Sequence, residues 1–237
     1  MQLGFFRLPF ELSGDDKAFA AGLGALAGHA KLAKELNCTR CVVVLDPADD
    51  ERPLHQNFIV YQQRLSAVAK TLGEHGIQLG VGFTATPELR AGRAFEFIRN
   101  FDALKLLLGM VTEKNVGVAV DLFELWACDS AYQAVVEAGL KPVVLFVADA
   151  PEGITPDDAV QTQRLLPTET GCIDSVGTYK ASRPPASTGP SYPPHIRRVF
   201  KACRAATFAN LPATNSKNAS KPPASNRPAN LRWFSGS

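Results

Sequence analysis

Asn115–Trp126 reads NVGVAVDLFELW. Val116, Val118 and Val120, with Ala119 among them, form a short, β-branched apolar run bounded by Asn115 and Asp121, the pattern of a strand buried on both faces. Asp121 stands at the carboxyl end of that strand. In a closed parallel barrel the carboxyl ends of the strands form the rim where chemistry is done, so a carboxylate there reads as a site residue. The competing reading is that Asp121 caps the helix after it.

The same pattern recurs on either side. Leu3–Leu8, Cys41–Leu45, Ile77–Phe83 and Val143–Ala148 read as strands, with Gly171–Asp174 as one more, very short strand. Between them lie helical stretches. Ser13 or Asp15 caps a first helix that Asn37 closes, a second runs from about Asn57 to Glu74 and ends at His75-Gly76, and Phe95–Val111 and Ser130–Ala138 come next. Thr84–Arg93 reads as a loop, and a short helix lies near Asp157–Gln163. Strands that are continuous apolar runs and alternate with helices predict a parallel sheet covered by helices. The count is about six βα units, where a closed barrel needs eight, so the fold class is α/β, an incomplete (β/α)8 TIM-type barrel over residues 1–179.

The charge balance divides the chain. Residues 1–179 hold all 23 acidic residues and 15 of the 25 basic ones, while residues 180–237 hold 10 basic and no acidic residues. That second segment also holds nine of the 17 prolines and is expected to be a disordered Pro-rich tail. The change at Lys180 is abrupt, as though another reading frame or an unrelated segment began there. The tail's charges form no dense stripe, which argues against nucleic-acid binding. No apolar run is long enough for a membrane span and no signal peptide is recognised, so a cytoplasmic location is expected. Five cysteines, an odd number without framework spacing, fit a reducing compartment. Cys38-x-x-Cys41 lacks the second pair of a zinc site and leads into a strand, so it reads as packing. His29, His55 and His75 have no ligand spacing, and no G-x-G-x-x-G or P-loop stands after a strand.

IQLGVGF, VGVAVDLFELW and VVLFVADAP, and after them RLLPTETGCID at Arg164–Asp174, resemble in order and spacing the sugar phosphate isomerase/epimerase family with the xylose-isomerase-like TIM barrel. The resemblance covers roughly residues 3–179. It implies a divalent metal at the rim, Mn, Mg, Zn or Co, held by a glutamate after strand four, an aspartate after strand five, a histidine after strand six and a glutamate after strand eight. In such enzymes the metal polarises the sugar carbonyl and two glutamates move the proton.

Carried over by position, Asp121 matches the strand-five aspartate, the strand-four glutamate falls at Gly82, and the strand-six histidine falls at Phe146. The strand-eight glutamate has no counterpart, and a D-x-x-H of the family stands here as D-x-x-E with Glu124. One of four ligands survives, so the metal site is expected to be weak or lost. The residues singled out are Asp121 and Glu124 as catalytic, Asp121 as the remaining metal ligand, and Asp149 and Arg164 as substrate contacts. The function expected is an isomerase or epimerase of a sugar or sugar phosphate; the alternative is a non-catalytic or truncated barrel that binds a small polyol or nothing. Missing outer strands leave unpaired edges, so the chain is expected either to be marginally stable or to associate through them as a homo-oligomer.

Overall fold

The computed structural model describes residues 4–182. In chain order the elements are β1 (Phe6–Arg7), α1 (Asp16–Glu35), β2 (Arg40–Leu45), β3 (Ala48–Asp49), α2 (Leu54–Gly73), β4 (Gln78–Phe83), β5 (Phe95–Glu96), α3 (Phe101–Gly109), β6 (Val116–Asp121), α4 (Leu122–Trp126), α5 (Tyr132–Glu137), β7 (Pro142–Phe146) and α6 (Ser175–Ala181). β1, β2, β4, β6 and β7 form one parallel sheet in that order. β3 and β5 make a small antiparallel pair beside it. This is the expected α/β architecture, a curved parallel sheet corresponding to part of a (β/α)8 barrel.

Each strand sends alternate side chains to opposite faces. Cys41, Val43 and Leu45 of β2, Leu79, Val81 and Phe83 of β4, and Val118 and Val120 of β6 join the main core under the helices. The other, concave face is lined by small residues: Gly80 and Gly82 of β4 and Ala119 of β6, with Val42, Val143 and Val144 around them. Large residues outside and small ones inside let the sheet curl. A Cβ on Gly80 would lie 3.1 Å from Val143 Cβ, and one on Gly117 would lie 2.2 Å from the Lys141 carbonyl oxygen.

The helix ends obey local chemistry. Asp15 accepts a hydrogen bond from Ala18 N–H at 2.7 Å, and Asn37, at φ 54°, closes α1. Gly76, at φ 71°, turns the chain after α2. Cys38 and Cys41 are buried free thiols at the entry to β2, and burial, with Cys38 beside it, pushes Cys41 up to about 12. Among the described residues no helix is long and apolar enough to cross a membrane.

Three expectations are corrected. Phe95–Val111 is not one helix, because Phe95 and Glu96 pair with Asp49 and Ala48 and Asn100 caps α3 by accepting from Ala103 N–H at 2.9 Å. Gly171–Asp174 forms no strand; its backbone N–H groups turn to the Asp149 carboxylate, and Asp149 itself pairs with Leu165 in an isolated antiparallel bridge. Among the described residues the parallel sheet therefore holds five strands, one fewer than the count of βα units expected. α6 runs across the boundary placed after residue 179, and the expected tail beyond Ser182 lies outside the described residues.

The crowding at Gly117 gives a direct test of the curvature. We expect Gly117→Ala to lower unfolding stability in urea by about 2 kcal/mol, because the methyl group must push β6 away from Lys141 and Val143.

Candidate functional site

The parallel register brings the carboxyl ends of the strands to one rim, where Asp121 pairs in register with Phe146 and Leu45 with Phe83. A cavity of about 840 Å³ opens there, a volume suited to a small organic ligand. Its charged lining comprises Arg7, Glu11, Asp46, Asp121, Glu124 and Arg164.

Asp121 does two jobs. One oxygen accepts from Phe123 N–H at 3.0 Å and caps α4, so the capping role anticipated for it is real. Both oxygens also accept from Arg164 Nη1, at 2.9 and 2.8 Å, which places the same carboxylate in the cavity wall. Glu124, one turn along α4, is buried. It accepts from Ala85 N–H at 2.7 Å, from Gln161 Nε2 at 2.7 Å and from Arg164 Nη2. Burial raises the Glu124 pKa above the usual glutamate value, and the neighbouring Asp121 charge adds to this; the Ala85 N–H, Gln161 and Arg164 oppose it.

Arg164 comes from the loop after β7 and is held by several partners. Its Nε donates to Gln161 Oε1 at 3.1 Å, and its guanidinium stacks over the Phe123 ring with 4.6 Å from Cζ to the centroid. Gln161 fixes the loop a second time. Its side chain donates to Thr86 Oγ1 at 2.9 Å, and its backbone N–H donates to Glu88 Oε1 at 2.6 Å. The chain between residues 161 and 164 is thus stitched to the segment after β4 and to α4.

The four expected site residues divide three to one. Asp121, Glu124 and Arg164 meet at the mouth. Asp149 is fully buried outside the cavity wall, and its carboxylate accepts from the backbone N–H groups of Ala150, Thr170, Gly171 and Ile173 at 2.7–3.0 Å. Its oxygens are spent on holding the loop, so the structure gives it a scaffolding place rather than the expected substrate contact. Burial alone would raise its pKa, but the four N–H donors outweigh burial and hold it below the usual value. His29 and His55 are exposed and His75 half-buried, in line with surface or packing roles.

Sequence reasoning missed Gln161, Thr86 and Asp46. Asp46 was visible as a carboxylate at the end of a strand, the same signal that marked Asp121. Gln161 and Thr86 carry no such signal, since their importance comes from a contact between loops 75 positions apart.

The donors at the rim do not fit a divalent cation. Among the described residues no group of three His, Cys, Asp or Glu side chains converges on one point. The two carboxylates that do meet share a guanidinium. At Gly82, where the resemblance puts a glutamate, a Cβ would lie 3.3 Å from the Ala119 carbonyl oxygen, a tight contact that a side chain there has to relieve.

Solved structures supply the comparison. A xylose isomerase domain protein from Alicyclobacillus acidocaldarius matches at 24% identity with a TM-score of 0.64, covering 71% of this chain and 60% of that one. An IolI protein with a bound zinc atom matches at 16% identity and 0.61, covering 86% and 72%. A D-tagatose 3-epimerase-like protein matches at 15% and 0.50, covering 62% and 56%. The fold is a partial xylose-isomerase-like barrel. At these identities the likeness is one of fold, and the chain spans 60% of the length of the first of these structures. No family sequence model matches the chain, and neither does any curated protein.

This geometry is open to two measurements. Arg164→Ala leaves Glu124 buried without its cation; because Arg164 is 28% exposed the expected loss of unfolding stability is about 2 kcal/mol, below that of a fully buried pair. Adding Glu124→Gln to it should recover part of that loss in a double-mutant cycle. For Asp149, the folded pKa lies below the unfolded one, so its contribution is complete above about pH 4 and is lost as pH falls through the lowered value. Asp149→Asn should lower the melting temperature at pH 7, and its deficit against the parent protein should shrink on acidification.

Proposed function

We propose that this chain is an isomerase/epimerase-type barrel protein that binds a sugar or sugar phosphate in the mouth and does not convert it by the metal-assisted route. One observation carries this reading: the Arg164 guanidinium is shared by Asp121 and Glu124 at the end of β6. A metal route needs those carboxylates free to take a dication and a pair of bases on opposite faces of the sugar. Here both carboxylates are engaged by one internal cation, and Gly82 and Phe146 offer no donor. What remains is a concave site with hydrogen-bonding groups on a rigid parallel sheet, sufficient to bind a hydroxylated ligand. The fold likeness to a xylose isomerase domain protein supports the ligand class.

A second reading, an isomerase in which Glu124 carries the proton, is favoured by the raised pKa of that residue, since a carboxyl protonated nearer neutrality is suited to proton transfer. In either reading we place the protein in the cytoplasm, where the four described free thiols would stay reduced. The open edges of β1 and β7 suit association into a homo-oligomer.

Calorimetry with a panel of free sugars and sugar phosphates, run with a chelator and then with Mn²⁺, should show binding in the mouth that is indifferent to metal. Proton NMR of the bound sugar in D₂O should show no exchange at the carbon next to the carbonyl. Steady deuterium incorporation would replace this reading with the isomerase one, and no binding by any sugar would overturn both.

A further inference from the structure

We propose that the mouth selects an uncharged polyol over a phosphorylated one and grips it through Asp46, an inference that rests on the sugar-binding reading above. The cavity wall carries four carboxylates, Glu11, Asp46, Asp121 and Glu124, against two guanidiniums, Arg7 and Arg164. The wall stays negative even with Glu124 protonated. A phosphate would have to compete for Arg164 with Asp121, Glu124 and Gln161, which already engage its Nε, Nη1 and Nη2. A phosphate dianion would enter a negative cavity in which Arg164 is already paired, whereas hydroxyl groups meet carboxylate acceptors.

Asp46 is the acceptor best placed to serve. It comes directly after β2, so its carboxylate stands on the same rim as Asp121, two strands away across β4. Among the described residues no arginine or lysine forms a salt bridge with it. Ser13 and Tyr61, whose own ring is buried, line the cavity with it, and the charges that act on it are those of Glu11, Arg93 and Asp49. Partial desolvation where the carboxyl meets the wall, with Glu11 and Asp49 nearby, raises its pKa, and Ser13 and Arg93 oppose the rise. The Asp46 side chain is exposed at the rim, so its oxygens are open to a pair of adjacent ligand hydroxyls, each giving a charge-assisted hydrogen bond.

The position of Ser13 and Glu11 is itself enforced. Arg64, buried on α2, donates to the carbonyls of Leu12 and of Gly14 (2.6 Å) and to Asp16 at 2.7 Å. The segment that closes this side of the mouth is thereby fastened to the helix layer.

The test compares D-fructose with D-fructose 6-phosphate, and D-xylose with D-xylose 5-phosphate, by calorimetry on the full chain. The free sugars should bind at least tenfold more tightly than their phosphates, and the gap should narrow as salt screens the wall. Asp46→Ala should weaken the free sugar about tenfold and Asp46→Asn by less, with melting temperatures unchanged. Tighter binding of the phosphates, or unchanged affinity in a folded Asp46→Ala protein, would overturn this inference while leaving the sugar-binding reading intact. No binding of either kind would overturn both.

Discussion

The central strands of this sheet approach closely on the concave face, where they carry glycine and alanine, and that constraint shapes the rest. Gly80, Gly82 and Ala119 lie side by side there, and Gly117 sits against the Lys141 carbonyl, so the strands can wrap tightly while bulky Leu79, Val81, Phe83, Val118 and Val120 fill the helix side. Curvature gathers the strand ends around one mouth. The same close approach makes a side chain at Gly82 tight against the Ala119 carbonyl, so the feature that builds the mouth also works against a glutamate there.

An internal cation then settles the electrostatics. Two carboxylates within one turn of α4 would repel, and the burial of Glu124 makes its ionised form costly. Arg164 answers both difficulties, and its delocalised charge packs on Phe123 without demanding full hydration. A buried ion pair adds little net stability once desolvation is counted, yet it specifies geometry strongly, because any other loop position leaves charges unpaired. The loop from residue 161 to 164 is held for that reason, with Gln161 bound to Thr86, Glu88 and Glu124.

The strands were legible because they obey short-range rules: apolar runs such as CVVVL and VGVAV, bounded by polar residues, admit little else in a parallel sheet. Asp121 was legible by the same rule. Where reading failed, a long-range contact had overruled a local one. Phe95 and Glu96 share the helical periodicity of α3, but they pair with β3, a partner about 47 residues back that no local window contains. Gly171–Asp174 looks like a strand because nothing in it reveals that its N–H groups belong to Asp149. The Arg164 contacts reach 40 and 43 positions along the chain, so sequence could mark the three charges but not their meeting.

Asp46, Asp121 and Asp149 sharpen the point, for each ends an apolar strand pattern and each meets a different fate. The path of the chain beyond each aspartate decides between them. After Asp121 comes a helix whose first N–H groups point back at it, so it becomes a cap with oxygens still available to a cation. After Asp149 comes a long excursion whose return leg, residues 170–173, offers N–H donors in a ring; the carboxylate is consumed and becomes scaffold. After Asp46 comes Pro47, which has no N–H to give, and the chain leaves into β3 without turning back to it. A carboxylate at the end of a parallel strand is therefore open to a ligand in proportion to the donors its own chain fails to return. On that measure Asp46 is the least satisfied of the three.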